Sequence, residues 1–340
     1  MKELLKNRQL LHDRHRLSHE QIDLLLGESR ARDFIQERIK RMASVKHFLD
    51  ITDRLRESGL SFICLKGPLL SYRMYGDATV RFSHDIDLLV EMNAVSVVCE
   101  QMRSAGFELM EGDFWPDESF KQDLIRQSVH HLSFYNKQQQ FCVEIHWRLT
   151  TLLPLPMDEA NRMLRQHVTT TTFSGREFTV FTKEFEVTYL LIHGSKHAWS
   201  RLKWLVDLKD YPFDTVDLNQ WRGIIDAFHA DRILGQTNLA LERCFNQKLP
   251  LEGSKRLPAY LVRYMEKALL NPVESGTSVR SIIKALRYQL LLFPDLRYQW
   301  QVCKSQFTRP ADMLKYDFAS KRMYYLFRPL SFIKRRILHA

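Results

Sequence analysis

The chain has 340 residues, 45% of them hydrophobic, and carries 50 Lys and Arg against 40 Asp and Glu for a net charge of +10. That length suits two modest domains, or one core with helical additions. Its five cysteines (Cys64, Cys99, Cys142, Cys244, Cys303) include no C-x-x-C pair, which argues against a zinc ribbon and a disulfide frame, and no apolar run approaches the ~20 residues that cross a bilayer.

Residues 1–58 read as helical. Met1 to Lys6 opens an amphipathic helix rather than a signal peptide, so a cytoplasmic protein is expected. Ser18 and Gln21 have capping-box spacing before Ile22, and a long periodic stretch runs from about Ala31 to Arg56. Residues 59–182 hold a mixed sheet. The apolar run Leu60 to Leu65 ends in Lys66-Gly67-Pro68; Pro68 suits a first helical turn, and helical spacing continues to Tyr75 before Gly76-Asp77 stops it. Amides at a helix N-terminus preceded by Gly offer a seat for phosphate.

The next strand carries the main signal. In Asp85-Ile86-Asp87-Leu88-Leu89-Val90 the two acids alternate with an inward apolar residue, so both face the same way about 7 Å apart. Two like charges on a strand with an apolar end are costly without a cation between them, and carboxylate oxygens suit Mg²⁺. Val95–Ala105 reads as a helix closed by Gly106. Phe141 to Trp147 alternates as a strand, with Glu144 and His146 on one face and Val143 and Ile145 on the other. Glu144 can therefore supply a third carboxylate. His146 reads as a partner that holds the acids rather than as a direct ligand. His130 and His131 are adjacent, so strand alternation sends them to opposite faces and keeps both from joining His146. Thr169–Phe173 and Glu177–Thr182, joined by Ser174-Gly175, form a hairpin.

From Lys183 onward helices dominate, with Pro250, Pro258, Pro272, Pro294 and Pro310 between periodic segments. One helix is expected from about Thr182 to Asp210, placing Lys196, Ser200, Lys203 and Asp207 on one face and His197, Arg201 and Trp204 on the adjacent stripe. That face is either a solvated Lys–Asp surface or a lid that brings Lys196 to a triphosphate. From Lys255 to Ala340 there are 17 Lys and Arg against 5 Asp and Glu. The aromatics interleaved among them, with an amphipathic pattern over Leu330 to Ile337, fit the solvated face of a bundle, a nucleic-acid surface or a membrane-surface helix.

Taken together, several motifs are similar to a known family. They are Leu65-Lys66-Gly67, the helix to Tyr75, Arg81 followed by Asp85 to Val90, Glu144-Ile-His146-Trp147-Arg148-Leu149, and the segment His193 to Asp207. This order resembles the nucleotidyltransferase superfamily that includes DNA polymerase β, and within it the bacterial branch labelled uncharacterised nucleotidyltransferase. The sequence departs from the pattern at Gly67-Pro68, where Gly-Ser or Gly-Gly is usual, at His84 before the first acid, and at Glu144, where Asp is common.

The resemblance implies an α+β fold: a polymerase β-like mixed sheet (59–182) with N-terminal helices (1–58) and a C-terminal helical bundle (183–340). It implies a metal-dependent enzyme that moves a nucleoside monophosphate from an NTP such as ATP to a hydroxyl acceptor. Asp85, Asp87 and Glu144 would hold Mg²⁺ or Mn²⁺, and Lys66, Gly67, Arg81, Lys196, His197 and Asp207 would bind the nucleotide. Two other readings stand beside it: a non-catalytic nucleotide-binding or antitoxin-like protein of the same fold, favoured by the Gly67-Pro68 turn, and an RNA-binding module that uses the basic last quarter.

Overall fold

The computed structural model describes residues 4–83, 85–271, 278–305, 320 and 322–327. His84, Pro272, Pro310 and the Leu330 to Ile337 pattern lie outside them. The chain opens with α1 (Arg8–Asp13), α2 (His19–Leu26) and α3 (Ile35–Glu57). The capping box of α2 is formed: Ser18 Oγ accepts from the Gln21 amide, and the Gln21 side chain accepts from the Ser18 amide. Then follow β1 (Phe62–Cys64), α4 (Pro68–Tyr75), β2 (Asp85–Val90), α5 (Val95–Ser104), β3 (Glu108–Leu109), α6 (Ser119–Ser128), β4 (His131–Asn136), β5 (Phe141–His146), α7 (Met157–Gln166), β6 (Val168–Phe173) and β7 (Arg176–Phe181). The helical half comprises α8 (Lys183–Lys196), α9 (Leu202–Lys209), α10 (Leu218–Ala227), α11 (Asp231–Phe245), α12 (Ala259–Leu270), α13 (Val279–Leu292) and α14 (Leu296–Ser305). The fold is thus mixed α+β, with N-terminal helices, a central mixed sheet and a C-terminal helical bundle. No helix among the described residues is long and apolar enough to cross a membrane.

The five-stranded sheet has the order β1-β2-β5-β4-β3. Its central pair β2–β5 is parallel and its other pairs are antiparallel. A parallel pair needs a long crossover, and the segment from α5 through β4 supplies it. One face of the sheet is dry: Ile86, Leu88, Val143 and Ile145 are fully buried beneath Phe48, Ile51 and Leu55, which recur at helical spacing along α3. Each such side chain contributes roughly 1.5–3 kcal/mol of burial. The polar face is left for the site.

The N-terminal helices divide between two cores. Leu11, Leu17 and Ile22 pack into the core of the helical bundle, whereas α3 packs on the sheet. Arg14 completes the first attachment by donating to the carbonyls of Ala268, Leu269 and Leu270 at the end of α12.

The single helix expected over residues 182–210 is two. The chain breaks at 197–201, where Ala198 and Trp199 take left-handed φ of 51° and 54°. Trp199 folds back against Gly194 so closely that a Cβ added there would lie 2.2 Å from the indole ring. Gly194 therefore makes the reversal sterically feasible, and the fully buried Trp199 stabilises it.

Candidate active site

The alternation read from the sequence places the acids together. In the β2–β5 register Asp85 lies opposite Cys142, Asp87 opposite Glu144 and Leu89 opposite His146, so Asp85, Asp87, Glu144 and His146 share the polar face. They form one wall of a cleft of about 570 Å³. The break between α8 and α9 supplies the opposite wall with Lys196, His197, Arg201 and Lys203. Tyr264 and Tyr288, from α12 and α13, also line the cleft.

Gly67 turns the chain from β1 into α4 with φ 82° and ψ −153°, a conformation essentially confined to glycine. Pro68 occupies the first helical turn. The turn directs Lys66 inward: its Nζ lies 3.2 Å from Asp87 Oδ1, 3.5 Å from His193 Nε2 and 5.6 Å from the centre of the Tyr189 ring. Burial opposes the Lys66 charge most strongly, but Asp87 and the neighbouring acids Asp85 and Glu144 together outweigh it and hold the amine above its ordinary pKa. Burial likewise opposes the Asp87 charge, yet Lys66 and His146 keep this carboxyl well below the usual carboxylate range. His146 Nε2 stands 3.2 Å from both Asp87 Oδ1 and Glu144 Oε2. These carboxylates outweigh the effect of burial and raise the imidazole's pKa.

Asp87, Glu144 and His146 each bring a ligand atom within 4.8 Å of the others. Asp85 lies outside that group but opens into the same cleft. The donor set fits a hard divalent cation. Asp87 Oδ1 is buried and makes no hydrogen bond although Lys66 and His146 stand 3.2 Å away, and two further carboxylates share its face.

The predicted nucleotide contacts fall into two groups. Lys196 and His197 face the cleft with Lys203. Lys196 donates to Thr150 Oγ1, and His197 stacks on Trp204 at 4.9 Å. Lys203 donates to the Phe82 carbonyl at 3.3 Å. Burial and the Lys66 cation push Lys196 down to about 8, and burial with Arg81 pushes Lys203 down to about 8. Arg81 and Asp207 form the second group. They are 3% and 1% exposed and paired with each other, Nε to Oδ1 at 2.8 Å and Nη2 to Oδ2 at 2.9 Å. Both Asp207 oxygens accept from Arg81, and of the two only Arg81 lines the cleft.

Sequence reasoning passed over Tyr189, His193 and Thr150. The spacing of four from Tyr189 to His193 to His197 was a usable sign, because it puts all three on one side of α8. The reading of His130 and His131 also needs correction. β4 begins at His131, so His130 lies off the strand and alternation does not separate the pair. One ring nitrogen of each comes within 4.8 Å of the other and of His146. The first turn of α9 is held from far away: the Leu202 amide donates to His15 Nδ1 at 3.1 Å, and the Lys203 amide donates to the His15 carbonyl at 3.3 Å. Burial pushes His15 down to about 4, which keeps it neutral and able to accept.

Comparison with known proteins bears on this arrangement. The family described as Uncharacterised nucleotidyltransferase matches residues 23–246, which include both walls of the cleft made by the sheet and by α8–α9. The chain belongs to that family. The uncharacterised nucleotidyltransferases fall within the polymerase β-like superfamily, as the motifs around Gly67, Asp85 and Glu144 led one to expect. No curated protein matches the chain. Among solved structures it is similar to the lincomycin-bound lincosamide antibiotic adenylyltransferase LnuA, with 14% identity and a TM-score of 0.30, over 42% of this chain and 83% of that one.

Proposed function

We propose that the protein transfers a nucleoside monophosphate from an NTP to a hydroxyl acceptor and releases pyrophosphate. The observation that carries this reading is one cleft with opposed walls: Asp85, Asp87 and Glu144 on the sheet, and Lys196, Arg201 and Lys203 on α8, α9 and the turn between them. Carboxylates that can hold a divalent cation, facing cations that can hold a polyphosphate, are what nucleotidyl transfer requires. A Mg²⁺ or Mn²⁺ ion held by Asp85, Asp87 and Glu144 would offset charge on the phosphates and ease deprotonation of the acceptor hydroxyl.

The chain's own residues do the rest. Lys66 sits against Asp87 and keeps that carboxylate ionised. Lys196 and Lys203, whose charge burial disfavours, gain an anionic partner when a triphosphate enters, and Arg201 at the cleft mouth adds a charge that does not titrate. Glu144, less buried than Asp87, can take the acceptor's proton on a carboxylate oxygen. Lys66 and Gly67 thus serve the nucleotide by shaping the turn and charging Asp87, while Lys196 provides the direct grip and His197 the adjoining ring surface.

The test is transfer itself. NTPs labelled in the α-phosphate, incubated with the protein, Mg²⁺ and cell extract, should label an acceptor and release pyrophosphate. Labelling by Asp85→Asn at the wild-type rate refutes the assignment. Nucleotide binding in Mg²⁺ without pyrophosphate release would favour the non-catalytic reading instead.

A further inference from the structure

A second group of donors lies in the cleft beside the carboxylates; it shares His146 with them, while His130 and His131 have no part in nucleotidyl transfer. His130, His131 and His146 each present a ring nitrogen, all within 4.8 Å of one another. His131 faces His146 across the β4–β5 register, and their rings lie 4.9 Å apart. His130 is brought in from the end of α6, with its carbonyl accepting from the Trp147 amide at 3.0 Å. We propose that these three imidazoles bind one divalent transition-metal ion, distinct from any Mg²⁺ held by the acids.

Three observations point to an ion. The first is spacing. His130 Nε2 and His131 Nδ1 are 3.2 Å apart. Two nitrogens bonded at ~2.0–2.1 Å to one tetrahedral ion stand roughly 3.3–3.4 Å apart, so this pair already has the edge of a metal tetrahedron. The second is orientation. Thr151 Oγ1 lies 2.9 Å from His130 Nδ1. With the proton on Nδ1 donated to that hydroxyl, Nε2 is left with its lone pair toward His131, as in metal-bound histidines whose other nitrogen is anchored. The third is an orphan. His146 is 4% exposed, and its Nδ1 is buried without a hydrogen-bond partner.

Burial disfavours a positive charge at His130 and His131, and Lys196 and Arg148 add to that at His130; Glu144, Asp113 and Asp87 beside His131 supply the opposing negative charge. Imidazole donors select Zn²⁺, Co²⁺ or Ni²⁺ over Mg²⁺, which prefers oxygen. The three histidines line the open cleft, so a fourth position faces solvent. This inference concerns binding alone and does not depend on nucleotidyl transfer.

The test uses Co²⁺, whose visible absorption reports tetrahedral nitrogen coordination. The full-length protein, stripped with chelator, should bind one equivalent of Co²⁺ and develop that absorption in the presence of excess Mg²⁺. His131→Gln and His130→Gln should each abolish it, with melting curves confirming that the variants fold. Thr151→Val should weaken Co²⁺ binding by roughly 10–100-fold, the usual effect of losing the group that anchors a ligating histidine. Asp85→Asn should leave the spectrum unchanged. The proposal is overturned if no Co²⁺ absorption develops, if it survives in folded His131→Gln, or if excess Mg²⁺ removes it. The last two outcomes would place the ion on the carboxylates.

Discussion

Lys196 should trade stability for ligand affinity, and Lys196→Met makes the trade measurable. The amine is pushed down from 10.5 to about 8, first by burial and then by Lys66. At about 1.4 kcal/mol per tenfold change in proton affinity, this corresponds to roughly 3 kcal/mol that the folded protein bears at pH 7. The residue is only half-buried and its amine faces the water of the cleft, which screens part of that cost. Methionine keeps the apolar stem and loses the contact with Thr150, which takes back about 1 kcal/mol. The ligand-free variant should therefore be more stable by about 1 kcal/mol, while NTP binding in Mg²⁺ weakens by roughly tenfold or more for the loss of a charge-assisted contact. The pH dependence has a definite sign. Between pH 8 and 10.5 the unfolded chain holds a proton on Lys196 that the folded protein lacks, so wild-type stability rises with pH across that window. Lys203, also at about 8, adds a second contribution of the same sign, so the variant should lose only part of the rise. Circular-dichroism melts from pH 7 to 10 and calorimetric titration with NTP supply the data. A lower melting temperature with an unaltered pH slope, or wild-type NTP affinity, would refute the argument.

Four further outcomes follow from the buried groups. Asp207→Ala strands the Arg81 guanidinium and should cost ~3–5 kcal/mol in chemical denaturation; an unchanged midpoint would mean that the pair is not buried in solution. Asp87→Asn should also destabilise the chelator-treated protein, by about 3 kcal/mol, because Lys66 and His146 lose their shared counter-charge; a rise in melting temperature would contradict this. The stabilisation from the ionised Asp87 is complete above the ordinary carboxylate range and disappears as acid titrates the group below it, which an acid-denaturation curve of wild type against Asp87→Asn should resolve. Gly194→Ala drives a methyl group into the Trp199 ring and should cost ~1–3 kcal/mol, read as a lower midpoint in urea.

What the sequence revealed and what it concealed have separate causes. The acids were legible because strand alternation is local: Ile86 and Leu88 must face a core, which fixes Asp85 and Asp87. The hairpin, the α2 cap and the Lys66-Gly67 turn were legible for the same reason. The pairing of Asp87 with Lys66 was not, because it joins two elements through their three-dimensional approach. From the sequence alone Asp85 and Asp87 looked like two like charges in want of a cation, and the 3.2 Å contact with Lys66 already gives Asp87 one. The α8–α9 break was hidden because residues 197–201 contain neither Gly nor Pro. Its cause is a tryptophan folding onto a glycine one turn back. His130 was misplaced because a one-residue error in where β4 starts removes the alternation on which the argument stood.

The contact between His15 and the first turn of α9 bears on how the protein is made. Residues 15 and 202 are 187 positions apart, yet one caps the helix that carries Lys203 and Trp204 into the cleft. Closing so long a loop is entropically costly and slow compared with forming the hairpin or α3. During synthesis the sheet with its acids can assemble while the lysine wall is still within the ribosome. The nascent chain then passes through a stage in which the face with Asp85, Asp87 and Glu144 lacks the wall formed by Lys196 and Lys203, and the proposed grip on polyphosphate would be complete only once His15 meets α9.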